Sequence, residues 1–132
     1  LAVANAHPAS AVNILSMAAH CGQSFLAPYS ASKAALANVT KNSAQALRSH
    51  RIRVNGINCG WMDTPGEDET QRKYHGAGDG WLAEAESRLP MGMLVKPDHV
   101  AALASYMLSP DSGVMTGALV DFDQNVTGAS PE

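Results

Sequence analysis

Three side chains that could carry a joint reaction lie within residues 16–33, SMAAHCGQSFLAPYSASK. Tyr29 follows Ser16 by thirteen positions, and Lys33 stands four past the tyrosine. On a helix an i, i+4 pair shares one face about a turn apart, so Tyr29 and Lys33 are expected side by side. An ammonium next to a phenol favours the phenolate, and a tyrosine so placed can donate or accept a proton. A serine hydroxyl nearby would hold the substrate oxygen on which that proton moves. No other group of residues in the chain suggests a reaction.

The elements that must position this trio follow from the local pattern. Ala11-Val12-Asn13-Ile14-Leu15 reads as a short buried strand ending at Ser16, and residues 17–27 as a loop containing Gly22 and Gln23. Pro28 suits a helical first turn. From residue 28 to 49 the spacing of Leu36, Val39, Thr40, Ser43 and Leu47 predicts a helix. Its many alanines let another helix approach closely, either within the subunit or across a subunit contact. Residues 51–58, RIRVNGIN, predict the next strand, with 59–66, CGWMDTPG, as the loop at its end. Ligands of open α/β sheets bind at the carboxyl ends of strands, which puts Ser16 and Gly60 at one site.

Elsewhere the pattern is simpler. Residues 1–8 read as the end of a helix stopped by Pro8. Residues 65–95 hold an acidic run, a Gly-rich run and a helical stretch, and are expected to form a flexible lid that carries specificity. The run from Gly76 to Gly80 is no phosphate cradle, because the polar residues 71–75 before it make no strand. A helix begins at Lys96-Pro97-Asp98 and stops at Ser109-Pro110. A final strand covers residues 118–122, and a tail runs from Gly128 to Glu132. Strand, helix, strand, helix, strand with long crossovers predicts parallel pairing.

Composition narrows the function. The 132 residues are 45% hydrophobic, enough for one globular domain. A net charge of -3 without a basic patch argues against a nucleic-acid partner. No apolar run reaches a membrane span, and no signal peptide is evident at the N-terminus. Cys21 and Cys59 form neither a disulfide framework nor a metal-ligand pair, so a cytoplasmic protein with passive thiols and no metal is expected. The chain lacks an initiator Met, which suggests a fragment or a processed product.

Taken together, these residues resemble the C-terminal half of a classical short-chain dehydrogenase/reductase over essentially the whole chain. Asn13-Ile14-Leu15-Ser16 is similar to the family's serine strand, and Tyr29-Ser30-Ala31-Ser32-Lys33 matches its Tyr-x-x-x-Lys motif at the usual distance. Residues 53–58, RVNGIN, resemble the next strand. Thr116-Gly117 and the strand up to Asp123 resemble the close of the fold. The implied fold is α/β, the C-terminal half of a Rossmann-like doubly wound parallel sheet, with residues 1–132 part of a single domain and its cofactor-loop half absent.

The resemblance implies an NAD(P)-dependent oxidoreductase that interconverts a secondary alcohol and a ketone. Tyr29 would exchange the proton, Ser16 would hydrogen-bond the reacting oxygen, and Lys33 would assist the phenol and contact the nicotinamide ribose. Backbone near Gly60 and Met62, with the Thr64 hydroxyl, would hold the nicotinamide of NAD or NADP. A sugar or polyol is one substrate class; a 3-oxoacyl substrate, or a truncated chain with no activity of its own, are the alternatives. Assembly as a homodimer or homotetramer is implied for the full-length form.

Three departures from the family pattern stand out. Cys59-Gly60 replaces Pro-Gly, Asp123-Gln124-Asn125 replaces Asp-Gly-Gly, and no Gly-rich cofactor loop is present. Asn5 is not assigned to the family's helical asparagine.

Several residues keep two readings. Thr64 either caps a helix, with Glu67 completing a capping box, or contacts cofactor, and both can hold together. His20 touches substrate or lies on the surface, the commoner place for a histidine. Trp61, Trp81, Met91 and Met93 either line the cleft or pack.

Overall fold

The computed structural model describes residues 1–21 and 24–129. Gly22 and Gln23 of the expected loop, and Ser130, Pro131 and Glu132 of the expected tail, lie outside the described residues.

The middle strand is the most buried element. β2 (Ile52–Cys59) is flanked by β1 (Ala9–Ser16) and β3 (Leu119–Phe122), all parallel, in the order β1-β2-β3. The register pairs Ala9 with Ile52 and Ser16 with Cys59 on one side, and Gly56 with Leu119 on the other. Parallel strands need long crossovers. Helix α1 (Ala27–Leu47) makes the first, while α2 (Pro65–His75), α3 (Trp81–Ser87) and α4 (Pro97–Leu108) lie in the second.

Alternation along the strands assigns each helix to a face. Ile52 and Val54 pack with Ala44 and Leu47 of α1, whereas Ile57 and Cys59 pack with Val100 and Met107 of α4. Helices therefore cover both faces, as the expected doubly wound arrangement requires. Because β2 is sandwiched, it is buried on both sides. Its polar side chains are consumed internally: Asn55, fully buried, donates to Met115 O at 2.9 Å and accepts from Ala118 N at 3.0 Å. Arg53 donates to Met107 O, Ser109 O and Ser112 Oγ, tying the end of α4 to the strand.

Residues 1–8 close as the end of a helix: Asn5 N donates to Leu1 O, Ala6 N to Val3 O and His7 N to Ala2 O, and Ala6 takes a left-handed φ of 54°, the pattern of a Schellman cap. The elements depart from expectation in two places. The loop after Ser16 contains two short 3-10 turns, Met17–Ala19 and Ser24–Leu26. In the helix over 28–49, Ser30, Thr40 and Ala44 are its buried residues, while Val39 is 52% exposed, so small residues make the closest approach to the sheet and Leu47 packs beside them. Asn13 and Thr40 explain this in part: Asn13 Nδ2 donates to Thr40 Oγ1 at 2.9 Å, a polar seam between β1 and α1.

Close packing also explains Gly56. A Cβ there would lie 2.3 Å from Leu15 Cδ1 and 3.0 Å from Leu119 Cδ2, and Leu15 is almost wholly buried. Overpacking of this kind costs about 1–3 kcal/mol. Gly56→Val is expected to lower the urea midpoint accordingly, with an unchanged midpoint showing that the two leucines yield freely.

Candidate functional site

At the carboxyl ends of β1 and β2 the chain encloses an open cleft of about 1360 Å³. Ser16, Tyr29, Lys33, Gly60, Met62 and Thr64 all line it. Residues spread over 49 positions of sequence thus reach one space, because parallel pairing delivers both strand ends to the same edge.

Ser16 is the last residue of β1 and opens the first 3-10 turn; its Oγ accepts from Ala18 N at 3.1 Å. That bond uses a lone pair, so the hydroxyl hydrogen is left to donate elsewhere. Tyr29 sits in the first turn of α1, 43% exposed, and its hydroxyl has no protein partner among the described residues. Lys33 follows one turn later. Its Nζ donates to the main-chain oxygen of Ile14 at 3.0 Å and lies 5.7 Å from the Tyr29 ring centroid. The ammonium is therefore pinned between the serine strand and the tyrosine helix.

The second wall comes from the loop after β2. An isolated parallel bridge joins Met62 to Val95, with Val95 N donating to Trp61 O and Asp63 N donating to Val95 O, both at 2.9 Å. In a parallel ladder the bridged residue's own N–H and C=O turn the other way, so those of Met62 face away from Val95. Gly60 serves a different need. A Cβ there would lie 2.3 Å from Asp123 Oδ1, so the glycine makes room for the carboxylate at the end of β3, and its N–H is spent on Phe122 O. Thr64 caps α2: its Oγ1 accepts from Glu67 N at 3.1 Å. The expected capping box is only half formed. Glu67 Oε1 instead accepts from Trp61 Nε1 at 2.6 Å and Gln71 Nε2 at 2.8 Å.

Residues 65–95 are folded into α2, α3 and their connections. Two tryptophans brace them, with ring centroids 6.2 Å apart. Trp61 lines the cleft, whereas Trp81 is buried and donates to Asp68 Oδ1 at 2.7 Å. Met91 and Met93 line a separate cavity of about 350 Å³ beside β3. Glu67, Thr70, Gln71 and Tyr74 of α2 also face the cleft. Sequence reading missed this wall, although the spacing i, i+3, i+4, i+7 is a helical-face signal.

Lys96 fastens the base of the segment. Its Nζ meets Glu86 Oε1 at 2.7 Å and Asp63 Oδ2 at 2.9 Å. Elsewhere, burial pushes the Cys59 thiol above its ordinary value, against the smaller opposing influence of the Lys33 charge, so the neutral thiol is favoured. Among the described residues no group of three His, Cys, Asp or Glu could hold a metal ion, and no helix is long and apolar enough to cross a membrane.

Carboxylates of this segment titrate low. The hydrogen bond from Lys96, then that from Leu94 N, holds Glu86 below the usual glutamate value, and Arg72, then Trp81, does the same for Asp68. A depressed carboxylate stabilises the fold fully above its unfolded value, and that contribution is lost as pH falls through the folded one. Fluorescence of the chain's two tryptophans is thus expected to hold steady from pH 7 to about 5 and to shift below about 4. A shift complete above pH 5 would contradict the assignment.

Known proteins resemble the chain in sequence and in fold. The family described as enoyl-(acyl carrier protein) reductase matches residues 1–127. The 3-oxoacyl-(acyl-carrier-protein) reductase of Thermotoga maritima is 32% identical over 114 residues, which are 86% of this chain and 44% of that protein. Estradiol 17-beta-dehydrogenase 8 of Callithrix jacchus is 32% identical over 109 residues, 83% of this chain and 76% of that protein. Among solved structures, actinorhodin polyketide ketoreductase with NADPH superimposes at a TM-score of 0.79 with 28% identity, covering 87% of this chain and 46% of that one. The chain spans less than half the length of most of the curated relatives it matches, for example 42% and 43% of two of them.

Proposed function

The chain belongs to the short-chain dehydrogenase/reductase family, and on that premise we propose that it is the catalytic C-terminal half of an NAD(P)-dependent oxidoreductase interconverting a secondary alcohol and a ketone. The observation that carries this reading is the convergence of Ser16, Tyr29 and Lys33 on one cleft, with Lys33 pinned between serine strand and tyrosine. The outer edge of β1 is unpaired among the described residues, which suits a sheet continuing there into a cofactor-binding half.

In this reading the substrate oxygen lies within reach of two hydroxyls. Ser16 donates to it, while Tyr29 gives it a proton in reduction and takes one back in oxidation. Tyr29's exposure, and the lack of a partner for its hydroxyl among the described residues, leave it available for that exchange. A nicotinamide group fits the opposite wall: the Met62 main-chain groups turn away from Val95, and the Thr64 hydroxyl keeps a hydrogen to give after capping α2. Gly60 contributes shape, since its N–H is engaged. Lys33, anchored on Ile14 O, would orient the nicotinamide ribose. When bound, the cofactor supplies or accepts the hydride.

The polar face of α2, with Glu67, Thr70 and Gln71, supports a sugar or polyol substrate. The similarity to the Thermotoga reductase supports a 3-oxoacyl substrate as the competing class. Segment 65–95 serves as the lid. A cytoplasmic location and a homodimer or homotetramer complete the reading.

Positioned general acid–base catalysis contributes about 10²–10⁴-fold. Tyr29→Phe in the intact protein is therefore expected to lower turnover by about that factor while dinucleotide affinity in a fluorescence titration stays nearly unchanged. Near-normal turnover would remove Tyr29 from its role. The 132 residues alone carry no Gly-rich turn for a pyrophosphate, so saturable NADH binding is expected only when that turn is supplied by the intact protein.

A further inference from the structure

His20 lies four residues past Ser16, lines the same cleft, and is bonded to a strand 101 positions away. Its Nε2 is 2.8 Å from Asp121 Oδ1 on β3, and Asn58 Nδ2 on β2 approaches the same carboxylate oxygen at 2.7 Å. A carboxylate has no hydrogen to give, so the hydrogen between Asp121 and His20 belongs to the imidazole. Asn58 Nδ2, 3.0 Å from Nε2, likewise donates to Asp121 rather than to a nitrogen already carrying hydrogen. Asn58 is fully buried, and Thr127 Oγ1 reaches the other carboxylate oxygen at 3.5 Å. A buried amide thus holds the carboxylate, and the carboxylate holds the ring.

The tautomer follows from this chain of contacts. With Nε2 carrying hydrogen, Nδ1 is a lone-pair acceptor in the neutral ring and a donor in the protonated one. Nδ1 has no protein partner among the described residues. A surface histidine needs no such framework.

Resting on the oxidoreductase reading, we propose that His20 is a specificity residue whose Nδ1 binds a second oxygen of the substrate, carried one or two carbons from the carbon that reacts at Tyr29 and Ser16. Two sources present such an oxygen, a hydroxyl of a polyol and the thioester carbonyl of a 3-oxoacyl compound. The neutral ring accepts from the first, and the protonated ring donates to the second.

The test compares three substrates on the intact protein: a 1,2-diol, a 3-hydroxyacyl thioester and a simple secondary alcohol. His20→Ala is expected to raise KM more than it lowers kcat for the substrate with the second oxygen. It should shrink the preference for that substrate over the simple alcohol about three- to tenfold where the ring is neutral, the worth of one neutral hydrogen bond, and by more than about tenfold where the ring is protonated. The arm that loses preference identifies the source. Two further variants separate recognition from support. His20→Asn keeps a polar group near Nδ1 and should recover part of the preference, whereas His20→Gln keeps one near Nε2, facing Asp121, and should not. Recovery by Gln and not by Asn would overturn the proposal in favour of a structural contact with Asp121. Unchanged preference in His20→Ala would overturn it too. If the unmodified protein turns over none of the three substrates with NAD or NADP, the oxidoreductase reading falls and takes this proposal with it.

Discussion

A strand buried on both faces leaves no water for its polar side chains, and β2 carries several. Arg53 and Asn55 must find partners within the protein, since an unpaired buried polar group costs about 1–3 kcal/mol. They find them in main-chain groups between Met107 and Ala118. The second crossover is thereby drawn back against the strand it left. Thr116 Oγ1 accepts from Val54 N, and Gly117 N donates to Val54 O, which leads the chain into β3. Everything at the far end of β2, from Cys59 to Thr64, inherits its position from this fastening.

That arrangement explains what the sequence made legible. Serine, tyrosine and lysine stand close together in the chain, and each is placed by a local element with its own periodicity, so their meeting could be read in advance. The parallel order followed from alternating strands and long crossovers. Asn55 looked like any residue of a strand, because its partners lie 60 or more positions on. His20 and Asp121 are separated further still, and nothing in the local pattern of either points to the other. Gly60 was legible as part of the site at the end of β2, but not the Asp123 side chain that leaves no room for a Cβ there. Residues 1–8 were legible as a helix end from Pro8, but not the left-handed Ala6 that closes it.

The wall opposite the serine has a different logic. Its residues are mostly polar and its strength lies in paired charges and indole N–H bonds rather than in an apolar core. Trp61 and Trp81 each spend their single donor on an acidic residue of α2. Lys96 spans Asp63 and Glu86, linking the loop after β2 to α3. The segment is still tied to the core at its end, where Leu94 is fully buried and Met62 and Val95 pack beside Ile57 and Cys59.

Lys33 reaches across to the main-chain oxygen of Ile14, two residues before Ser16. A slip of one residue between β1 and β2 turns every side chain of the strand to its opposite face. Such a slip would carry Ser16 out of the cleft and present Lys33 with a differently directed carbonyl at the same moment. The meeting of Ser16 and Lys33 at the cleft thus depends on one alignment, and a wrongly zipped sheet would part them.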